Sequence, residues 1–582
     1  MPHGEEVSFT PRVKLKGAPL EASLAGALVS GYVDQSLFSA DLLLLRFRDP
    51  ELGLLSSSRF AIGDPIEIGM EQSGPSDQAP LFIGEVTALD FEVGADGAHL
   101  LLRGLDGVHR LQRGSRAEVY TDMKAGDIVA KIAKRAGLAT GTVDQGGPIF
   151  EHLVQPACSD WDFLQLLAGQ SGCTLSVRSG KLHFAKAEPA DSAPAQGEPG
   201  SDPLILDSGQ NLIRLHGSLT AAEQVADVEV RGWDVKAKKP ISVVAKPAAR
   251  TGEVSGTPFA GTVAAVNQGR HTVAMPHYDQ SALAQRHADA LADRLGGGFA
   301  EIEGTARGNT RLHAGRPVLL RVGAAFKARF TLTAARHEFG QGSGYQVNFS
   351  ASAGSERSLL GLAAGNRASP DSGRAAVVNG LVTAIDDPEH LGRVRVMFPA
   401  YGEKVESWWA RTVQAGAGKA RGAVVLPEVG DEVLVGFGDG GLNQPYVLGG
   451  LYNGEDLPAE PWQSQREGSD SVRRRSFTSR TGMQVEFLES SSEQRINVAT
   501  KGGKHRISLI QNGEGGVEIE TSGKVGIKAG SGVEITSSAG PLSLSAPKIS
   551  LEATSELLLK GATVKLLGDA MTEVKGAMVK IN

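Results

Sequence analysis

Residues 517–582 read VEIETSGKVGIKAGSGVEITSSAGPLSLSAPKISLEATSELLLKGATVKLLGDAMTEVKGAMVKIN. Apolar-x-apolar pairs recur along the stretch: Val517/Ile519, Val525/Ile527, Val533/Ile535, Leu542/Leu544, Ile549/Leu551, Leu557/Leu559, Val564/Leu566 and Val579/Ile581. The first three pairs start eight residues apart, and the steps that follow, as far as Val564, run from seven to nine. Within a pair the period is two, so both side chains leave a short strand on one face. Glycine, serine and lysine between the pairs supply turns and a solvated outer face. A repeat this short is the signature of a β-helix or solenoid. One copy has nothing to pack its stripe against, whereas three copies about a common axis bury every stripe and pair the open strand edges. The expectation is a trimeric rod whose core includes Val517, Ile519, Val525, Ile527, Val533 and Ile535. The alternative, a disordered Gly/Ser-rich tail, does not account for strict alternation with β-branched residues.

At 582 residues the chain has room for several domains. Glycine is plentiful (74 residues) and aromatics make up only 5%, which favours short strands and tight turns over helices. The net charge of −7 gives no global attraction to nucleic acid or an anionic membrane. The opening MPHGEEVSFTPR lacks an apolar signal-peptide core, and the densest apolar run, Leu42–Leu45, is strand-like and far too short to span a bilayer. The expectation is synthesis in the cytoplasm without a signal peptide. The only two cysteines, Cys158 and Cys173, flank a helical pattern capped by Ser159, which sets the sulfurs on the order of 15–20 Å apart. Two free thiols follow.

Upstream of the rod, strand patterns dominate. Phe60–Met70 and Leu81–Val93 alternate in period two, followed by a glycine turn and HLLLRG. About 250 residues later the same order returns as GRPVLLRV, ARFTLTAARHEF (Ala328–Phe339), a glycine turn and YQVNFSA. This predicts two related β-barrel units per chain. In a trimer they would make six similar units about the axis, which matches a trimeric rod to a six-fold ring. Three amphipathic helices lie between them: Met123–Leu138, with Ile128, Val129 and Ile132 on one face; the Ser159 helix; and SALAQRHADALADRLGGG, capped by Ser281 and stopping at Gly296. Glu188–Pro203 reads as a flexible surface insertion, and linkers are expected at Ala363–Arg374 and Glu455–Asp470. The run Arg473-Arg474-Arg475 reads as a solvated collar.

One segment carries a specific resemblance. In order, it contains Asp387-Pro388, Leu391-Gly392-Arg393-Val394-Arg395-Val396, Phe398-Pro399, Trp409-Ala410-Arg411, Leu426-Pro427-Glu428-Val429-Gly430-Asp431-Glu432-Val433 and Pro445-Tyr446-Val447-Leu448-Gly449. The segment resembles the OB-fold domain of the VgrG family, the spike proteins of type VI secretion systems and phage-like contractile injection systems. Ser159–Phe184 and the VRGWD of Val230–Asp234 are similar to the phage late-control, or hub, module that precedes it. The first hundred residues are terse, more like the spikes of extracellular or phage-tail-like injection systems than a type VI VgrG.

The resemblance implies a mainly β protein. Residues 1–370 would form a phage-hub-like, tube-docking module with two related β-barrel units plus a few helices; 378–454 an OB-fold neck; and 471–582 a C-terminal triple-stranded β-helical rod, formed as a trimer. It further implies a homotrimer that docks on inner tube and baseplate proteins, belongs to an assembled injection particle, carries effectors as passengers and meets membranes by puncture. The exposed apolar end of the chain, Met578, Val579, Lys580, Ile581 and Asn582, would receive a PAAR-repeat tip protein.

Catalytic chemistry finds little footing. H-E-x-x-H, G-x-S-x-G, P-loop and C-x-x-C motifs are all missing, so no enzyme activity, cofactor or metal is expected. His271 and His277 flank VAMP without a third ligand, and Asp386, Asp387 and Glu389 sit where an Asx-type turn is expected. Val378–Gly454 holds six Lys/Arg against nine Asp/Glu, so the OB segment lacks the basic footprint of a nucleic-acid binder, and Trp408 and Trp409 are read as packing residues rather than base platforms. A tail-associated cell-wall hydrolase and an OB-fold nucleic-acid-binding protein are the rival readings.

Overall fold

A computed structural model describes residues 9–57, 59–72, 79–145, 147–195, 197, 202–266, 269–274, 278–323, 325–341, 344–352, 377–438 and 442–581. The chain divides into two compact units, Met1–Leu457 and Pro458–Asn582. The fold is mainly β.

The first unit is built on one eleven-stranded sheet. Its order is Leu212–Leu219, Ala300–Arg307, Gly344–Ala351, Ala334–Gly340, Leu28–Ser36, Leu42–Arg48, Gly97–Leu105, Phe82–Gly94, Pro65–Gln72, Phe9–Leu15 and Ala18–Pro19. Of the repeated order predicted from sequence, the first copy and the hairpin Ala334–Gly340/Gly344–Ala351 of the second lie in its two halves, whereas Pro317–Val322 and Phe326–Thr331 pair in a separate four-stranded sheet; the halves meet where Ala334–Gly340 pairs antiparallel with Leu28–Ser36. Each half has its own apolar core. Val33, Leu43, Leu45, Phe47, Ile66, Ile68, Leu100 and Leu102 fill the first. Leu206, Phe299, Val318, Leu320, Phe330, Val347 and Phe349 fill the second. At the seam Gly31 leaves space no side chain could use: an added Cβ would stand 2.7 Å from the Leu44 carbonyl oxygen and 2.8 Å from the Phe339 ring.

One expected strand is two. ARFTLTAARHEF divides into Phe326–Thr331 and Ala334–Gly340, which belong to different sheets. The break at Leu332–Thr333 is set by long-range bonds, Leu332 N–H to the Arg316 carbonyl (2.9 Å) and Thr333 N–H to the Ser350 carbonyl (2.8 Å). The equivalent first-half strand, Phe82–Gly94, stays whole and absorbs its irregularity as a bulge between Val86 and Ala88.

The helices form as the pattern predicts, with one difference. Ala125–Arg135 buries Ile128, Val129 and Ile132. Asp160–Ser171 is capped by Ser159, whose hydroxyl accepts the Asp162 N–H at 3.1 Å, and ends at Gly172 in the left-handed conformation. Cys158 and Cys173 at its ends are both buried and are not bridged to one another. In Ser281–Gly297, however, Ser281 is the first helical residue; the cap position belongs to Gln280, which makes no side-chain capping bond. This helix lays Ala284, Ala288, Leu291 and Ala292 against Val228, Val230, Ile241 and Val243. The described part of the Glu188–Pro203 insertion is anchored rather than loose. Thr331 donates to the Glu188 carbonyl at 2.6 Å, the Ala190 N–H reaches the Arg250 carbonyl at 2.8 Å, and Ala190 and Ala193 are buried. The linker expected at Ala363–Arg374 lies outside the described residues.

Residues 377–450 form a five-stranded sheet in the order Arg395–Met397, Val377–Ala384, Glu432–Phe437, Pro445–Gly450, Arg411–Thr412. Its core is Val382, Val394, Val396, Phe398, Val405, Ala410, Val433, Val435 and Val447.

In the second unit, Arg474–Thr478, Gln484–Glu489, Gln494–Ala499, His505–Ile510 and Gly516–Thr521 form an antiparallel meander. From 522 to 581 the chain forms no strand or helix, and its side chains are exposed.

Candidate functional site

The rod residues divide into two groups. Val517 and Ile519 lie on the last strand of the meander, where Ile519 pairs with Ile507 and Val517 with Leu509. Val525, Ile527, Val533 and Ile535 lie in the stretch without intrachain strands and are 55%, 72%, 57% and 65% exposed. Met578, Val579, Lys580 and Ile581 are exposed as well, Ile581 at 90%. Asn582 falls outside the described residues. Apolar side chains at these exposures, at every step of a long stretch, are a surface waiting for a partner.

The meander adds residues that the sequence reading passed over. Phe477, Val485, Val498, Ile507 and Ile519 stand opposite one another across all five strands. Phe487, Ile496, Leu509 and Val517 form a second row two residues along. Eight of these nine side chains are exposed, Ile496 being half-buried. The other face is covered and mostly polar, with Leu488 also buried on it. Glu486, Asn497 and Ser508 are buried, with Asn497 Nδ2 donating to Glu486 Oε1 and Ser508 Oγ donating to Asn497 Oδ1, both at 2.8 Å. Arg474 pairs with Glu486 at 3.1 Å. Period-two alternation in MQVEFLE, QRINVAT and HRISLI was the available signal.

The three-arginine run is neutralised within its own unit. Arg473 pairs with Glu493 at 2.7 Å, Arg474 also with Glu460 at 3.1 Å, and Arg475 with Glu489.

At the OB barrel, Asp387 is a structural knot. Its carboxylate, almost fully buried, accepts the N–H groups of Glu389 (3.1 Å), Leu391 (2.8 Å) and Arg393 (3.3 Å) and the Arg393 guanidinium (2.6 and 3.0 Å). Burial alone would raise its pKa, but the guanidinium and backbone bonds hold it well below the carboxylate range. This is the turn expected of the acidic cluster.

Trp408 packs against the strand Phe150–Cys158, stacked on His152 with ring centroids 5.9 Å apart. The Arg395 guanidinium lies 5.8 Å from the same indole ring. Across this junction His152 Nε2 meets the Glu406 carbonyl at 3.0 Å, the Val154 N–H donates to Asn443 Oδ1 at 2.8 Å, and Lys236 pairs with Glu389 at 3.0 Å. A cavity of about 130 Å³ lies here, lined by Phe150, His152, Tyr278, Asp279, Trp408 and Asn443 among others. Burial pushes His152 down to about 4. Burial likewise lowers His313 to about 4 and His337 to about 3. His271 is exposed on the strand Arg270–Ala274, and His277 lies outside the described residues. Among the described residues no cluster of three or more His, Cys, Asp or Glu is placed to hold a metal, and no helix is long and apolar enough to cross a membrane.

Known proteins match in the same places. Residues 378–452 match the family described as the type VI secretion system/phage-baseplate injector OB domain. Residues 47–341, just over half the chain, match the family described as the Alg8 N-terminal domain. The type VI secretion system spike protein VgrG4b of Pseudomonas aeruginosa is 31% identical over 124 residues, 19% of this chain and 15% of that protein. The actin cross-linking toxin VgrG1 of Vibrio cholerae is 23% identical over 382 residues, 60% of this chain and 33% of that protein. The chain thus covers a third or less of either relative. Among solved structures, one of a Francisella PdpA-VgrG complex shares the fold over 89% of this chain and 88% of the matched one, with a TM-score of 0.52 at 10% identity.

Proposed function

Because this chain belongs to the family of the Alg8 N-terminal domain and is VgrG-like through its injector OB domain, we propose that it is the homotrimeric central spike of a contractile injection system. The hub seats on the inner tube and baseplate, the OB barrel is the neck, and the C-terminal stretch is a triple-stranded β-helical needle that pierces the target envelope. The carrying observation is the run from 522 to 581, whose apolar-x-apolar pairs are exposed and have no strand partner among the described residues. Three copies supply that partner to one another and bury the stripe. The duplicated hub halves support the same count, since two per chain in three chains give six units facing a six-fold tube.

The mass of the purified full chain tests this directly: a trimer is expected, with a three-fold rod below a wider ring in negative-stain images, and a monomer overturns the reading. The needle's end, with Met578, Val579 and Ile581 exposed, is the platform for a PAAR-repeat tip protein. Co-purification with such a protein, lost on Ile581→Asp while the trimer survives, is the expected result; retention in that variant places the tip elsewhere.

A further inference from the structure

The cavity of about 130 Å³ lies between the strand Phe150–Cys158, the helices Asp160–Ser171 and Ser281–Gly297 and the OB barrel, and thrust along a spike makes no use of it. We propose that it is a binding site for a small organic cation, an alkylammonium or guanidinium group no bulkier than an arginine side chain. Its floor is apolar: Leu153, Phe163, Leu167 and Leu442 line it and are buried. The rings of Phe150, Tyr278 and Trp408 add an aromatic wall. Two acidic residues of the lining, Glu151 and Asp279, reach solvent and so mark the mouth. Among the described residues the wall holds no lysine or arginine. An apolar pocket with a few convergent polar groups is the usual form of a small-molecule site.

Three observations select a cation. The first is an acceptor without a donor. A carbonyl oxygen only accepts, so His152 Nε2, 3.0 Å from the Glu406 carbonyl, carries the ring hydrogen. Burial keeps the ring neutral, which leaves Nδ1 as a bare lone pair, and that atom is buried with no hydrogen-bond partner among the described residues. A ligand that brings N–H groups satisfies it. The second is uncompensated negative charge. Asp279 is lifted above the ordinary carboxylate range, first by desolvation and then by repulsion from Glu151, with Asp234 adding to it. The backbone bond at Asp279 and the charge of Lys236 pull the other way, but the Lys236 ammonium is committed to Glu389 at 3.0 Å. Arg395, 5.8 Å from the Trp408 ring, is likewise paired, with Glu406. The third is the set of rings, whose faces attract positive charge and repel negative charge. A neutral ligand would use the rings and His152 but leave the two carboxylates repelling one another, and an anion would be repelled by rings and carboxylates alike.

The test is calorimetric titration of the full-length protein at low ionic strength, with agmatine and n-butylammonium as the cations and n-pentanol as the neutral control. A site this small is expected to hold agmatine with a dissociation constant of about 0.1–1 mM. Pentanol should bind at least about tenfold more weakly. Glu151→Gln and Asp279→Asn should each weaken agmatine about fivefold, and the double variant more than either. Both side chains are at the mouth, so the variants should unfold at the wild-type Tm without ligand, which separates a lost site from a lost fold. Pentanol binding as tightly as agmatine, a double variant that binds agmatine like wild type, or no heat from either cation at about 10 mM each overturns the proposal. N-acetyl-arginine amide, titrated last, identifies the source of the cation. Affinity equal to that of agmatine assigns the site to a side chain of a partner protein, and binding of the free amines alone assigns it to a small molecule; either result supports the site.

Discussion

Asp387 shows how much one carboxylate can hold. Its two oxygens satisfy three backbone N–H groups and a guanidinium that is itself nearly buried. Asp387→Ala strands the Arg393 charge, so a loss of about 3 kcal/mol is expected in denaturant unfolding of the OB barrel. A change under about 0.5 kcal/mol would show the knot to be ornamental. The turn was legible in the sequence because every partner lies within six residues. His152 was not legible, because its partner Glu406 is 254 residues away. Burial holds this imidazole neutral, with Arg395 opposing its charging and the Glu406 carbonyl favouring it. A lowered folded-state pKa means that the unfolded chain takes up the proton first. The stability is therefore complete above the ordinary value near 6.5 and falls as pH drops toward about 4. His152→Phe should remove about 2 kcal/mol of the destabilisation seen between pH 6.5 and 5, read as a smaller drop in Tm than wild type over that interval.

At the scale of elements, local signals were reliable and tertiary ones were silent. The Ser159 cap follows from its own neighbourhood, and Ser159→Ala should cost about 1 kcal/mol with little effect on fold, measured by thermal unfolding. The break in ARFTLTAARHEF could not be read, since both pieces alternate and the interruption is fixed by bonds to Arg316 and Ser350. The third helix was placed to within a residue, but its start lacks the expected serine cap because Ser281 already lies inside the first turn. The meander is the reverse case: its alternation was in view, but the polar ladder on the covered face inverts the usual rule that the buried side is apolar. Only the backbone register distinguishes the two faces.

At the scale of the molecule, the OB domain was legible from its ordered motifs, while the joining of the two duplicated halves into one eleven-stranded sheet was not. That seam depends on Gly31. Gly31→Val would drive a side chain against the Leu44 carbonyl and the Phe339 ring, and a loss of about 1–3 kcal/mol is expected. Hydrogen exchange should locate it, with faster exchange across Ala334–Gly340 and little change in the OB barrel; uniform protection would show that the seam tolerates the bulk.

The same seam sets a clock on synthesis. Leu28–Ser36 leaves the ribosome early, but the strand that covers its edge, Ala334–Gly340, lies roughly 300 residues later. At about 5–20 residues per second the edge stands open for tens of seconds on every nascent chain. During that interval the backbone N–H and C=O groups of Leu28–Ser36 are available to any strand that passes, including the same strand on a neighbouring chain of the polysome. Whatever shields that edge, or shortens the interval, therefore acts before any assembly partner is met.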